Sequence, residues 1–165
     1  MNPIHPALAP LATAAKKKSW SELDDTLAAA LSKPSWMRPE HRVGDPTGYM
    51  RHVLYVDPGG DFVITVITWL PGQTSPVHGH QVWCAYGIAE GELSEEQFIA
   101  SGSKVEMKGR NIYGAGRTAE KDLEQKVIHR VANRSAKTVV SLHLYGVAAE
   151  RLTTGINRLY PLRLP

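Results

Sequence analysis

The sequence has little of what marks secreted, membrane-spanning or nucleic-acid-binding proteins. Its 165 residues include one cysteine, Cys84, so no internal disulfide can form and we expect a reducing compartment, the cytoplasm. No apolar run approaches the roughly 18 residues of a membrane-spanning helix, and the apolar residues 7–15 are interrupted by a proline and followed by lysines, unlike a secretory signal. The net charge is only +3 and no stripe of arginines with aromatics occurs, so we expect neither a membrane nor a nucleic-acid partner.

What remains fits one domain of mainly β structure with a helical segment before it. Residues 1–18 contain three prolines and a lysine run and are predicted to be an N-terminal tail, with a single domain over 19–165. The lead-in 19–33 is predicted to be helical from Ser19 to Leu31, where Ser19 and Glu22 form a capping-box pattern. Its apolar residues recur at helical spacing on one face: Trp20, Leu23, Leu27 and Leu31.

Strand-like runs rich in β-branched residues and separated by glycine turns occupy the rest of the chain. They are Tyr49–Asp57, Phe62–Leu70, Val82–Ala89, Leu93–Ile99, Lys126–Val131 and Thr138–Tyr145. Many short strands of this kind predict an antiparallel barrel or jelly roll.

Three histidines form the first candidate site. His78 and His80 are two residues apart, so on a strand their rings share one face. His129 lies in a second strand-like run and would provide a third nitrogen to the same metal ion. An isolated pair with this spacing is also typical of a purely structural contact, so the pair alone leaves both interpretations open.

The spacing of these histidines resembles the two motifs of the cupin superfamily. The first motif is matched by a glycine, two histidines and a second glycine: Gly72, His78, His80 and Gly91. Cys84 occupies the position of its usual glutamate, and the second motif ends in His129 and Asn133. The resemblance implies a double-stranded β-helix, or jelly-roll, barrel. Without the glutamate, a divalent metal keeps its full charge and favours anionic ligands such as a thiolate and a carboxylate.

Four stretches further resemble the thiol dioxygenases, the family of cysteine dioxygenase and 3-mercaptopropionate dioxygenase. They are residues 49–51, 75–80, 128–133 and 141–145 (SLHLY), of which the last is the most specific because cupins in general do not require it. The resemblance implies a non-haem iron enzyme that adds both atoms of O2 to a small carboxylate-bearing thiol and produces its sulfinic acid. The implied partners are therefore this thiol and O2, and we expect a monomer or a small homo-oligomer.

The same resemblance assigns the metal ligands and the substrate contacts. His78, His80 and His129 would bind Fe(II). Arg51, with Tyr49 on the same face of its strand, would bind the substrate carboxylate, because a guanidinium pairs with a carboxylate through two parallel hydrogen bonds.

The remaining assigned residues would act beside the metal. Ser141, His143 and Tyr145 alternate along one strand and would form a hydrogen-bonded relay that fixes the tyrosine hydroxyl. Cys84 stands where mammalian-type enzymes carry a cysteine that forms a thioether with this tyrosine. His52 points away from the face of Arg51 and is interpreted as structural.

The sequence departs from the family pattern at places that bear on the substrate. Gly79 replaces the usual aspartate between the histidines, and Gly146-Val147 follows the tyrosine where mammalian-type enzymes have Ser-Pro-Pro. Arg51 favours cysteine as substrate, whereas the region of Gly146 favours 3-mercaptopropionate or mercaptosuccinate, and cysteine is preferred between them. Two alternatives of another class are a zinc hydrolase with Glu90 or Glu92 as base and a non-catalytic, ligand-binding cupin.

Overall fold

The computed structural model describes residues 3–101, 104–119, 122–124 and 126–160. These residues form two packed antiparallel sheets with two helices on the outer side of one of them. The helices are α1 (Ala9–Lys17) and α2 (Trp20–Ser32), and a 3-10 turn follows at Pro39–Arg42. The described strands are β1 (Met50–Val56), β2 (Val63–Trp69), β3 (His78–His80), β4 (Cys84–Glu90), β5 (Glu92–Ser101), β6 (Lys104–Gly114), β7 (Ile128–Ala132), β8 (Val139–Tyr145) and β9 (Asn157–Leu159).

The order of the strands separates the chain into two layers. One sheet has four strands in the order β1-β2-β8-β4, and the other has five in the order β6-β5-β7-β3-β9. The two strands with the predicted histidine ligands, β3 and β7, are neighbours in the five-stranded sheet, and β3 also pairs with β9. The relay strand β8 lies in the middle of the four-stranded sheet, so the two sets of predicted residues face each other across the interior.

The four-stranded sheet is buried on both faces, which explains why its central strands are so apolar. On β8, Val140, Leu142 and Leu144 pack in one core cluster with residues of the helices. The alternate residues of β8, which include the predicted relay, point toward the other sheet. Small residues on β4 make room for α2: a Cβ at Gly87 would lie 2.3 Å from Leu31 Cδ1.

The predicted N-terminal tail is wrong for most of its length, because α1 lies within it. Pro10 falls in the first turn of α1, where a missing N–H costs nothing. Leu11 is completely buried and belongs to the core cluster beneath the helices. The lysine run also has a structural role, since Lys16 Nζ lies 2.9 Å from Asp57 Oδ2 and 2.6 Å from Asp61 Oδ2.

The predicted helix after the tail is confirmed, but its predicted cap is not. Leu23, Leu27 and Leu31 are buried, and Trp20 packs partly buried against the same cluster. Ser19 occupies the N-cap position without a side-chain hydrogen bond, so the capping-box prediction is wrong. Burial of the apolar face, rather than capping, therefore stabilises α2.

The outer face of the five-stranded sheet carries a buried carboxylate that links three strands. Glu96 on β5 is 1% exposed and accepts hydrogen bonds from three guanidinium groups: Arg110 on β6, Arg130 on β7, and Arg134 just beyond β7. Burial by itself would raise the pKa of Glu96, but the hydrogen bonds from Arg130 and Arg134 lower it by more, so the pKa of Glu96 lies below its ordinary value.

None of the helices that the structure describes is long and apolar enough to cross a bilayer.

Candidate active site

Three imidazole rings converge between the two sheets, as the sequence predicted. His78 and His80 lie on β3 and His129 lies opposite His78 on β7. One nitrogen from each ring lies within 4.8 Å of the others, and the Nε2 atoms of His78 and His129 are 3.1 Å apart. All three side chains are buried. Among the described residues, this is the group whose ligand atoms are placed to hold a metal ion.

Each of these rings is oriented by a hydrogen bond on its other nitrogen. His78 Nδ1 donates to the Pro76 carbonyl at 2.9 Å. His80 Nδ1 donates to Asp122 Oδ2 at 3.0 Å, and His129 Nδ1 donates to Glu95 Oε1 at 2.6 Å. An imidazole that donates from Nδ1 presents the lone pair of Nε2, so three neutral nitrogens point to one centre. This donor set fits a divalent transition metal.

The protonation of His78 and of the Asp122 carboxylate agrees with this role. Burial, with a smaller contribution from neighbouring His129, lowers the pKa of His78 to about 3, so the ring is neutral at physiological pH. Burial alone would raise the pKa of Asp122, but the hydrogen bond from His80 holds it below its ordinary value. The carboxylate therefore stays charged and strengthens its imidazole as a ligand.

Asp122 and Glu95 are site residues that the sequence did not predict. Asp122 lies in an irregular segment beside Cys84, and its Oδ1 accepts from the backbone N–H of Lys126. Glu95 is 1% exposed and also accepts from the Tyr86 hydroxyl at 2.9 Å. The signal for Glu95 was present, since an acidic residue alternates with Leu93 on the inward face of a strand. Asp122 had no comparable signal.

One cavity brings nearly all the predicted site residues together. The empty space in and around this cavity, including its open mouth, is about 360 Å³. It is lined by Tyr49, Arg51, Ile67, Trp69, Ser75, His78, His80, Cys84, Tyr86, His129, Val131, His143, Tyr145 and Asn157. Of the predicted set, only Ser141 lies behind this lining.

Arg51 enters the cavity from β1, as predicted, and His52 points to the other side. The Arg51 guanidinium carbon lies 5.7 Å from the centre of the Tyr145 ring. Its Nε atom is buried and has no hydrogen-bond partner among the described residues. A buried, unpaired guanidinium N–H is costly unless an anion completes it. His52 instead packs its ring 5.3 Å from that of His41.

The predicted relay is a continuous chain of hydrogen bonds. Ser141 Oγ is 2.8 Å from His143 Nε2, and the Tyr145 hydroxyl is 3.1 Å from His143 Nδ1. Trp69, which the sequence analysis did not single out, donates from Nε1 to Ser141 Oγ at 2.9 Å. Burial, followed by nearby Arg51, lowers the pKa of His143 well below its ordinary value, so this ring is neutral.

Cys84 and Tyr145 occupy opposite positions on the paired strands β4 and β8. Both side chains are buried and line the cavity. Burial raises the pKa of the Cys84 thiol, with a smaller contribution from Asp122, so this thiol stays protonated. Their register places the two residues as neighbours, as a thioether between them would require.

Glu90 and Glu92, the bases considered for a zinc hydrolase, lie outside the cavity. Glu90 is bound by Arg42, whose Nε donates to its Oε2 at 2.8 Å at the surface. Glu92 is exposed at the start of β5. Among the described residues that line the cavity, none is an aspartate or a glutamate, so the arrangement offers no carboxylate base for that reaction.

Comparison with known protein families shows to which family of cupins the chain belongs. The family model described as cysteine dioxygenase type I matches residues 21–152, which include every predicted site residue. The chain belongs to the cysteine dioxygenase type I family. Membership in this family indicates a thiol dioxygenase and fits the three-histidine metal site described above.

Solved structures with a similar fold confirm the predicted barrel. A protein of Klebsiella pneumoniae with a double-stranded β-helix domain is 17% identical, with a TM-score of 0.55 over 74% of this chain and 92% of that one. A protein of Thermus thermophilus is 18% identical, with a TM-score of 0.53 over 67% of this chain and 95% of that one. This member of the cysteine dioxygenase family is therefore a mainly β, cupin-type double-stranded β-helix with helices at its N-terminus.

Proposed function

We propose that the protein is an iron(II)-dependent thiol dioxygenase that converts a small carboxylate-bearing thiol, preferably cysteine, and O2 to the sulfinic acid. The reaction balances without a further reductant. The thiol and O2 combine to form a sulfinic acid, in which both oxygen atoms are bonded to sulfur. Sulfur loses four electrons, O2 gains them, and the thiol proton is retained by the product or released from it.

The observation that carries the proposal is the buried, unpaired Nε of Arg51 in the cavity of the three histidines. A guanidinium in this position favours a substrate with a carboxylate, because the charged hydrogen bonds would satisfy a donor that the protein leaves open. A carboxylate held there would fix the rest of a short molecule next to the histidines.

His78, His80 and His129 would hold the iron through their Nε2 atoms. The iron would supply the redox chemistry of the reaction and a positive charge that favours the thiolate over the thiol. The protein's contribution is to fix the geometry: Asp122, Glu95 and the Pro76 carbonyl keep the rings from turning. Arg51 would orient the substrate by its carboxylate.

The relay would fix the direction in which the hydroxyl proton of Tyr145 points. Because Trp69 donates to Ser141 Oγ, the hydroxyl proton of Ser141 is directed to an acceptor, and His143 Nε2 at 2.8 Å is closer than the Ile67 carbonyl at 3.4 Å. His143, neutral, then carries its proton on Nδ1 and donates it to the Tyr145 oxygen. The Tyr145 proton is thereby left to point into the cavity as a hydrogen-bond donor.

The test is O2 uptake by the iron-loaded protein with four thiols, with the sulfinate identified by mass. Cysteine, 3-mercaptopropionate and mercaptosuccinate carry a carboxylate, and cysteamine does not. We expect uptake with at least one of the first three and little with cysteamine. Arg51→Gln should lower kcat/KM for the carboxylate-bearing thiol by roughly ten- to hundredfold, because it removes a charged hydrogen bond of about 1.5–3 kcal/mol.

Arg38→Gln is the matched control, since Arg38 is at the surface with a side chain that is 66% exposed. It should leave kcat/KM unchanged. Uptake that is equal for cysteamine and cysteine, or unaffected by Arg51→Gln, would contradict the role of Arg51. No uptake with any of the four thiols by protein with a full complement of iron would contradict the proposed reaction itself.

A further inference from the structure

Asn157 is a polar residue of the cavity to which neither the sequence motifs nor the proposed mechanism gives a role. It is the first residue of β9 and lies opposite His80 in the pairing of β9 with β3. Its backbone is fixed, because its carbonyl accepts a hydrogen bond from Gln81 Nε2 at 2.9 Å. Asn157 lines the cavity, and its side-chain carboxamide makes no hydrogen bond to any residue that the structure describes.

The other polar side chains near the histidines are already bonded within the protein. Ser75 donates to one backbone carbonyl and accepts from a backbone amide. Tyr86 donates to Glu95, and both ring nitrogens of His143 have partners. The carboxylates of Glu95 and Asp122 are occupied by the ligand histidines. Few polar groups in the cavity are therefore left for a substrate.

The polar groups of the cavity that remain for a substrate lie on opposite sheets. Arg51 and Tyr49 belong to the β1 side, and Arg51 is suited to the substrate carboxylate. Asn157 lies on β9 in the five-stranded sheet, beside the metal ligand His80. A substrate bound by its sulfur near the histidines and by its carboxylate at Arg51 would therefore present its third group toward the side of Asn157.

The third group of cysteine is an amine, which needs a hydrogen-bond acceptor. An amine keeps N–H donors whether it is free or bound through its lone pair, and the carboxamide oxygen of Asn157 is an acceptor. Resting on the proposed function, we propose that Asn157 recognises the substrate amino group and so selects thiol carboxylates with an amine over those without one. The amide oxygen provides this recognition without adding a negative charge next to the metal.

The test compares Asn157→Leu, which keeps the shape but removes the acceptor, with Asn157→Asp, which keeps an acceptor. Binding of cysteine and of 3-mercaptopropionate to the iron-loaded protein is measured by calorimetry without O2, and kcat/KM is measured for both thiols with O2. Asn157→Leu should weaken cysteine binding and lower its kcat/KM by about tenfold, with 3-mercaptopropionate changed by less than about twofold. Asn157→Asp should retain most of the preference for cysteine.

Arg158→Gln, an exposed change on the same strand, is the control and should leave both thiols unaffected. Equal effects of Asn157→Leu on the two thiols, or none on either, would overturn the proposal. Mercaptosuccinate is the third ligand: if the wild type prefers it and Asn157→Leu abolishes that preference, the amide recognises a carboxylate rather than an amine, and the proposal is wrong. Thiols that bind without O2 but are not oxidised would contradict the proposed reaction alone, because the binding ratio still tests Asn157.

Discussion

At the scale of single residues, the site depends on groups that never touch the substrate. The Nδ1 atoms of His80 and His129 each donate to a buried carboxylate, and this fixes the nitrogen that each ring offers to a metal. The carboxylates remain charged because the bonds from the imidazoles offset the cost of their burial. Metal affinity should therefore be sensitive to residues behind the ligands.

Replacing Glu95 by glutamine should lower the affinity for the metal by about ten- to hundredfold, because the ring of His129 loses a charged partner. The affinity is measured by competition with a chelator of known strength. Glu92→Gln, an exposed change on the same strand, is the control and should have no effect. Equal affinities for Glu95→Gln and the wild type would show that His129 is oriented by something other than this carboxylate.

Residues with a motif were predictable, and residues without one were not. His78 and His80 stand at alternate positions on one strand, and the relay residues do so on another, so their spacing in the sequence already places each set on one face. Asp122 and Asn157 come from segments far along the chain. Asp122 reaches His80, and Asn157 reaches the cavity, only because the segment before β7 and β9 pack beside β4 and β3. No local pattern records such a contact.

At the scale of elements, the sequence predicted the buried strands better than the exposed ones. β2 and β8 are buried on both faces and so read as continuous apolar runs. β6 was missed because it pairs only with β5 at the sheet edge and its side chains are mostly exposed, which weakens any alternation. β9 was missed because it has three residues and takes its position from β3.

The helix α1 was missed because prolines and lysines outweighed a short apolar face. If it is part of the core, Leu11→Ala should lower the free energy of unfolding by about 3 kcal/mol, since a fully buried leucine leaves a cavity. The measurement is urea unfolding at equilibrium. Leu159→Ala, at a leucine that is 61% exposed, should change the stability by less than about 0.5 kcal/mol. If Leu11→Ala leaves the free energy of unfolding unchanged, α1 is not part of the core and residues 1–18 are a tail, as the sequence predicted.

At the scale of the whole molecule, the barrel places ionisable groups in a dry interior and this couples stability to pH. Burial lowers the pKa of His143 far below its ordinary value of 6.5 and also lowers the pKa of His41. The unfolded chain binds protons at these residues near pH 6.5, whereas the folded chain does not. Stability should therefore be complete above this pH and should fall as the pH drops below it.

The expected loss is up to about 1.4 kcal/mol per pH unit for each histidine that stays neutral in the fold. It is measured by urea unfolding of the metal-free protein between about pH 8 and pH 5. The variant His143→Gln should show a shallower slope than the wild type over the lower part of this range. Identical slopes would mean that the ring of His143 does take up a proton inside the folded barrel.

The central claim is that this barrel directs both atoms of one O2 molecule to the sulfur of a small thiol. The most direct measurement is the mass of the sulfinate formed by the iron-loaded protein under ¹⁸O2 in ordinary water. We expect both sulfinate oxygens to carry the label and one O2 to be consumed for each product. A product with one labelled oxygen, or hydrogen peroxide and disulfide in place of sulfinate, would contradict it.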